Sequence, residues 1–288
     1  MTEKIAIITD STNDLPAELR KKFDIRVVPL TIIWGDRQYQ DGVEITPQEF
    51  YAQLGVNPAH PSTSQPTPQD FVRAYESAAD DGASAILAVT ISSAMSGTYE
   101  SAHTAGEGFR LPVHVVDSKS NSMSLGWQIL AAARAREGGV GVEGMIAAAE
   151  TVRNNLHYHI VLDTLEYLVK GGRIAGAAKF IGNVLNIKPQ IRVNHQSGSV
   201  EAGDISRTRA RAIETLYNGF FRKVDTTKPL RIAVLHNAAY EDAAQLAEKI
   251  SKDYNPVELI TGLVSPVLGA HTGPRAIAIC GYAEPPGQ

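Results

Sequence analysis

Short apolar runs alternate with helical patterns along the first half of the chain. Ile5-Ala6-Ile7-Ile8 is uniformly apolar and reads as a buried strand. Asp10-Ser11-Thr12-Asn13-Asp14 behind it is rich in helix-capping types, and residues 15–23 then read as a helix. Residues 27–33 form a second strand, at an edge or irregular, because Pro29 has no N–H to give to a ladder. Thr46-Pro47-Gln48-Glu49 and Thr67-Pro68-Gln69-Asp70 each place a capping hydroxyl before a proline, with an acid closing the motif. Each predicts a helix start. Residues 85–89 and 113–116 are further buried strands, with helix predicted over 96–106 between them and over 123–136 afterwards. This alternation predicts a parallel sheet flanked by helices.

Gly138-Gly139-Val140-Gly141 interrupts the pattern, and Val142, Met145, Ile146, Ala149 and Val152 then recur at helical spacing. Strands follow near 159–162, 187–193, 230–235, 257–261 and 276–280. Helical stripes run through Ile213, Leu216, Tyr217, Phe220 and Phe221, and through Ala243, Leu246, Ala247 and Ile250. Strands and helices mix less regularly here, so this half is α/β or α+β. The chain is read as α/β in two domains. An N-terminal parallel-sheet domain covers 1–157, a C-terminal α/β (or α+β) domain covers 158–288, and a ligand pocket lies between them. The tail Glu284-Pro285-Pro286-Gly287-Gln288 is expected to fray.

Composition narrows the function classes. The chain has 288 residues, enough for a large core or two domains. Its net charge of −4 provides no global basic field for nucleic acid or an acidic membrane. A lone cysteine, Cys280, excludes a disulfide framework. No apolar stretch approaches the ~20 residues of a membrane span, and no signal peptide is visible, so the expected location is cytoplasmic. No cofactor is expected: metal-ligand spacing, the phosphate loop and the dinucleotide glycine fingerprint are all missing.

The densest polar cluster is Ser92-Ser93-Ala94-Met95-Ser96-Gly97-Thr98, directly behind the 85–89 run. A strand-to-helix turn in an open α/β sheet is where ligands bind. The cluster holds more hydroxyls than one helix cap requires. With free backbone N–H groups, they can hold an anion without a metal or a cationic side chain. Pro61-Ser62-Thr63-Ser64-Gln65-Pro66 reads as a connector or as a loop stiffened into a preorganised donor set. The two clusters are expected to face one ligand. Asp10-Ser11-Thr12 reads as a helix cap or as polar lining at the mouth of the sheet. Residues 167–174, with Lys170 and Arg173 around paired glycines, read as a helix C-cap or a surface recognition loop. The punctuated loop 265–274 sets His271 among small residues that let another group approach.

Taken in order, these motifs resemble the DegV family of bacterial fatty-acid-binding proteins. The matches are residues 10–16 (Asp-Ser-Thr-Asn-Asp-Leu-Pro), Thr63-Ser64-Gln65-Pro66, Ser92 to Thr98, Val116-Asp117-Ser118, Leu168 to Ile174 and Ala270-His271-Thr272-Gly273-Pro274. The resemblance implies two α/β domains with a long-chain fatty acid such as palmitate between them. It also implies a separate fatty acid kinase catalytic subunit that phosphorylates the bound carboxyl group for phospholipid synthesis, the carrier itself not being the catalyst. Carboxylate contacts carry over to Thr63 and Ser96, with His271 nearby, and Ser93 and Gly97 as further candidates. Kinase docking carries over to Lys170 and Arg173.

A carrier is physically sensible for such a chain. A 16-carbon acid has about 14 methylenes, and burying them at roughly 0.8 kcal/mol each is worth on the order of 10 kcal/mol. Head-group hydrogen bonds add only about 1–3 kcal/mol each, so the tail supplies affinity and the polar mouth supplies register. The alternative is a serine-dependent esterase or acyltransferase using Ser96 or Ser93 with His271, and Asp117 as the orienting acid. The glycine that a serine elbow needs two residues before Ser96 is absent. A DNA-binding regulator is disfavoured by charge and by the lack of a recognition helix.

Overall fold

The computed structural model describes residues 4–174 and 187–285. Of the tail expected to fray, Pro286, Gly287 and Gln288 lie outside the described residues.

The first half is built on a parallel sheet of β1 (Ile5–Asp10), β2 (Ile25–Val28), β6 (Ala85–Thr90) and β7 (Val113–Asp117), in the order β2-β1-β6-β7. Its two central strands are buried at every position, which is why they read as apolar runs without alternation. Helices α3 (Pro68–Asp80) and α4 (Thr98–Gly106) pack on one face through Phe71, Tyr75, Ala102 and Ala105. On the other face lie α5 (Ser122–Glu137) and α6 (Val142–Asn155). Both predicted capping boxes form. Thr46 and Glu49 start α2 (Pro47–Leu54), and Thr67 and Asp70 start α3. A short α1 (Ala17–Lys22) follows β1.

The strand predicted over 27–33 is two strands in two sheets. After β2 the chain passes through Pro29 and enters β3 (Thr31–Trp34), which pairs antiparallel with β4 (Arg37–Gln40) and β5 (Ser62–Ser64). Pro29 cannot extend the first ladder. The next N–H, on Leu30, donates to the Ser11 hydroxyl at 3.1 Å rather than to a strand. The stretch carrying Thr63 is therefore a strand and not a loop.

The second half holds a six-stranded mixed sheet of β8 (His157–Val161), β9 (Lys188–Asn194), β10 (Ser199–Ser206), β11 (Leu230–His236), β12 (Glu258–Leu263) and β13 (Ile277–Ala283). The order is β10-β9-β8-β13-β11-β12, and only β11 and β12 run parallel. Helices α8 (Arg209–Phe221) and α9 (Tyr240–Tyr254) cover one face with the two predicted stripes. The other face joins α5 and the first sheet in one core through Tyr158, Ile160, Ala278 and Cys280. Two short helices complete the half, α7 (Glu166–Lys170) and α10 (Pro266–Thr272). The segment 265–274, expected as a loop, contains α10: Pro266 sits in the first turn and Pro266 to Ala270 are buried.

Candidate functional site

A cavity of about 320 Å³ lies against the inner face of the six-stranded sheet, within the range of small-molecule sites. Its floor is sheet: Ile191, Ile160, Ala278 and Leu235. Loops and α10 roof it with Leu30, Ile91, Met95 and Leu268. The walls are largely apolar. Polar groups include Thr63, Gln65, Ser96, Arg173 and His271.

Thr63 Oγ1 lies 2.8 Å from His271 Nε2. The threonine is held by the β3–β5 ladder opposite Ile32, and the histidine by the last turn of α10. Burial, then the Arg173 charge, then His60, push the His271 pKa down to about 4, so the ring is neutral at pH 7. Its Nδ1 is buried and has no hydrogen-bond partner among the described residues. Leaving an acceptor lone pair there is better tolerated than orphaning an N–H. The proton is therefore assigned to Nε2, which donates to Thr63 and leaves the Thr63 hydroxyl hydrogen for a ligand. Gly171 makes this placement possible, because a Cβ there would collide with the imidazole. Gly171 also caps the end of α7, so the same missing side chain ends the helix and lets His271 lie over its backbone.

The hydroxyl loop is held from several sides. Asp10, which caps the turn after β1, also accepts from the Ile91 N–H at 2.7 Å. Ser92 is fully buried, and its carbonyl accepts from Met95 and Ser96 in a tight turn. Ser96 lines the cavity and shares a 2.8 Å hydrogen bond with Thr98. Gly97 precedes α4 and gives room to the Gln65 amide, which occupies the space of a missing Cβ. Ser93 lies outside the cavity lining and is exposed; its hydroxyl donates to Asp117 at 2.6 Å.

The two cations behave differently. Lys170 is on the surface, paired with Glu166 at 2.6 Å, and does not line the cavity. Arg173 does line it, while donating to the Gly171 carbonyl at 2.8 Å.

Sequence reading missed Asn237 and Asp41. Fully buried Asn237 lines the cavity and donates to Thr272 Oγ1 at 2.7 Å and to the Gly273 carbonyl at 2.5 Å, fixing the end of α10 that bears His271. A polar residue closing the predicted 230–235 strand was its only signal. Asp41 is buried and accepts from Ser11 at 2.7 Å. Burial, against the Ser11 bond and with the Asp14 charge adding to it, pushes its pKa up to about 8. Asp14, raised to about 6 by burial, accepts from the Ser122 hydroxyl at 2.5 Å and the Ser265 N–H at 2.8 Å. It thereby ties the β1 loop to the starts of α5 and α10.

Among the described residues, no group of three or more His, Cys, Asp and Glu side chains is arranged to hold a metal. No described helix is long and apolar enough to cross a membrane.

Comparison with known proteins covers nearly the whole chain. The model of the DegV family of uncharacterised proteins matches residues 4–284. The chain belongs to the DegV family. A DegV domain-containing protein of Clostridium acetobutylicum is 35% identical over 96% of this chain and 98% of its own. Among solved structures, a fatty-acid-binding DegV family protein from Thermus thermophilus superposes with a TM-score of 0.90 at 34% identity, covering 98% of this chain and 100% of that one. DegV of Bacillus subtilis, described as a fatty acid binding protein, also gives 0.90, at 29% identity and the same coverage.

Proposed function

We propose that this DegV protein is a cytoplasmic carrier that binds a long-chain fatty acid and presents its carboxylate to a separate kinase for acyl-phosphate formation. The observation that carries the reading is that Thr63, Ser96 and His271, from three separate segments, line one largely apolar cavity. Burial of the acyl chain supplies most of the affinity. Neutral donors fix the head group: the Thr63 hydroxyl, oriented by His271, and the Ser96 hydroxyl, with Gly97 leaving space beside them. An unpaired buried carboxylate would be costly, so several donors have to converge. The fatty-acid-binding relatives from Thermus thermophilus and Bacillus subtilis support the lipid class. In this reading residues 1–157 and 158–288 are the two domains, a division supported by the second sheet starting at His157.

Mass spectrometry of the denatured purified protein tests the reading. The expected result is a co-purified long-chain fatty acid. Binding unchanged in both Thr63→Ala and Ser96→Ala would refute the head-group assignment. Kinase docking at Lys170 and Arg173 is tested with ATP and a fatty acid kinase catalytic subunit. Lys170→Ala should slow acyl-phosphate formation while fatty acid affinity holds.

The hydrogen bonding disfavours the serine hydrolase. Its three groups are divided between two pairs, Ser93 with Asp117 and His271 with Thr63. Among the described residues, neither serine has a histidine base as its hydrogen-bond partner.

A further inference from the structure

The cavity floor follows one register row. Ile191, Ile160, Ala278 and Leu235 are paired neighbours on β9, β8, β13 and β11, so their side chains lie on one face in a line across the sheet. His271 belongs to the β11 side of this line, because Asn237, just past β11, grips Thr272 and Gly273. At the opposite side stands the β9–β10 hairpin, contributing Val193, Ser199 and Val200. Val200 is the register partner of Val193.

The tip of that hairpin is fastened to the other half of the molecule at three points. Ser92 Oγ donates to the Gly198 carbonyl at 2.7 Å. Lys119 Nζ donates to the Gln196 carbonyl at 3.0 Å. Ser124 Oγ and His195 Nε2 are 2.7 Å apart. Ser92 and Ser124 are fully buried. Gly198 has φ +72°, and a Cβ on it would collide with the Ser92 hydroxyl, so the close approach depends on glycine. Ser92 is thus the member of the hydroxyl cluster that faces the hairpin.

We propose that the β9–β10 hairpin is the stop that sets acyl-chain length, with Val193 and Val200 meeting the chain end and Ser92 holding the stop in place. This rests on the fatty-acid reading above and deepens it. Five adjacent strands, from β11 to β10, are four spacings of about 4.8 Å apart, or about 19 Å. A 16-carbon acid has about 15 carbon–carbon bonds, each advancing about 1.25 Å along a staggered zigzag, also about 19 Å. The slot and a chain of that size match. Up to that length each added methylene raises affinity about fourfold. Beyond it, the next carbon meets a wall that cannot yield without breaking the three fastenings.

The test is affinity against chain length, using unbranched saturated acids from about 10 to about 20 carbons stripped of carried lipid. Val200→Ala should move the optimum up by about one to two carbons, and Val200→Phe down by about two. Ser92→Ala should blunt the decline beyond the optimum. Thr63→Ala should weaken every length by the same factor. Tyr75→Phe, which removes a buried hydrogen bond from α3 to the Ala102 carbonyl of α4, should leave the profile unmoved and controls for lost stability. An unchanged optimum in both Val200 variants, with Thr63→Ala still weakened, would overturn the stop and leave the carrier intact. Absence of binding by the unaltered protein at every length would overturn both.

Discussion

The Thr63 hydroxyl and the His271 imidazole lie 2.8 Å apart although 208 positions separate them in the chain. One comes from a three-residue strand and the other from the last turn of a short helix. If the pair acts as one donor unit, Thr63→Val and His271→Ala should each weaken fatty acid binding by about 1–2 kcal/mol, roughly tenfold. The double variant should lose less than the sum, with a coupling of about 0.5–1.5 kcal/mol by calorimetry. Strict additivity would show that the two side chains act separately.

In the proposed carrier, the neutral state of His271 should set the pH dependence of binding. Its pKa is held near 4. Head-group recognition through it should therefore be flat from pH 5.5 to 8. A titration midpoint near 6.5 that disappears in His271→Asn would mean that the ring charges and pairs with the carboxylate.

Stability should respond to pH through Asp41. Its folded pKa of about 8 lies above the ordinary 3.8, so between those values the folded state holds a proton that the unfolded chain has lost. Stability falls with rising pH wherever the folded state binds more protons. Asp14, raised to about 6, acts in the same direction lower down. His159, His195 and His271, lowered to about 3, 4 and 4, act oppositely: their contribution is lost as pH falls from 6.5. Between pH 6.5 and 8 the raised carboxyl groups set the slope, Asp41 together with fully buried Asp10, which burial also pushes up. Urea unfolding should show stability declining by up to about 1.4 kcal/mol per pH unit there. Asp41→Asn should flatten that slope and be the more stable protein at pH 8.

Gly273 has φ +73° with ψ 178°, a conformation close to glycine-only, and a Cβ there would strike the Tyr167 ring. Gly273→Ala should lower stability by about 2–4 kcal/mol and displace the end of α10. Fatty acid binding should fall further than in a comparably destabilised control such as Phe71→Ala in the core between α3 and the first sheet. Equal losses in the two would separate α10 from ligand recognition.

Ser93→Ala removes a hydroxyl that serves Asp117 outside the cavity lining. Fatty acid affinity should stay within about twofold of the unaltered protein. A fluorophosphonate probe should label neither serine. Stoichiometric labelling at Ser93 or Ser96 would restore the hydrolase.

Local chemistry made part of this molecule legible. The two Thr-Pro-x-acid starts became capping boxes because they need only four consecutive residues. The uniform runs of β1 and β6 announced strands buried on both faces. β10 went unread because Ser199-Val200-Glu201-Ala202-Gly203-Asp204 has no clean alternation, and its pairing with β9 shifts register after Ala202. α10 went unread because Gly269 and Gly273 disguise a helix whose burial comes from tertiary packing. At the site, the hydroxyl clusters were visible as composition. The geometry was not: that Ser92 faces the hairpin, Ser93 faces Asp117 and Ser96 faces the cavity follows from a turn that is held from outside by Asp10, Ser120 and Gly198.

Helix α5 has no solvent side along 122–133, and its Trp127 ring stands edge-on to Tyr282 of the second sheet at 5.9 Å. It serves as a shared axle for both halves. Prying the sheets apart in a clamshell motion would wet that whole segment, at about 25 cal/mol for every Å² of apolar surface. In the proposed carrier, ligand exchange is thereby left to the rim: the strands, turns and short helices around the slot can shift while the axle stays dry. Amide protons of α5 should accordingly be among the last to exchange with solvent, whether the slot is loaded or empty.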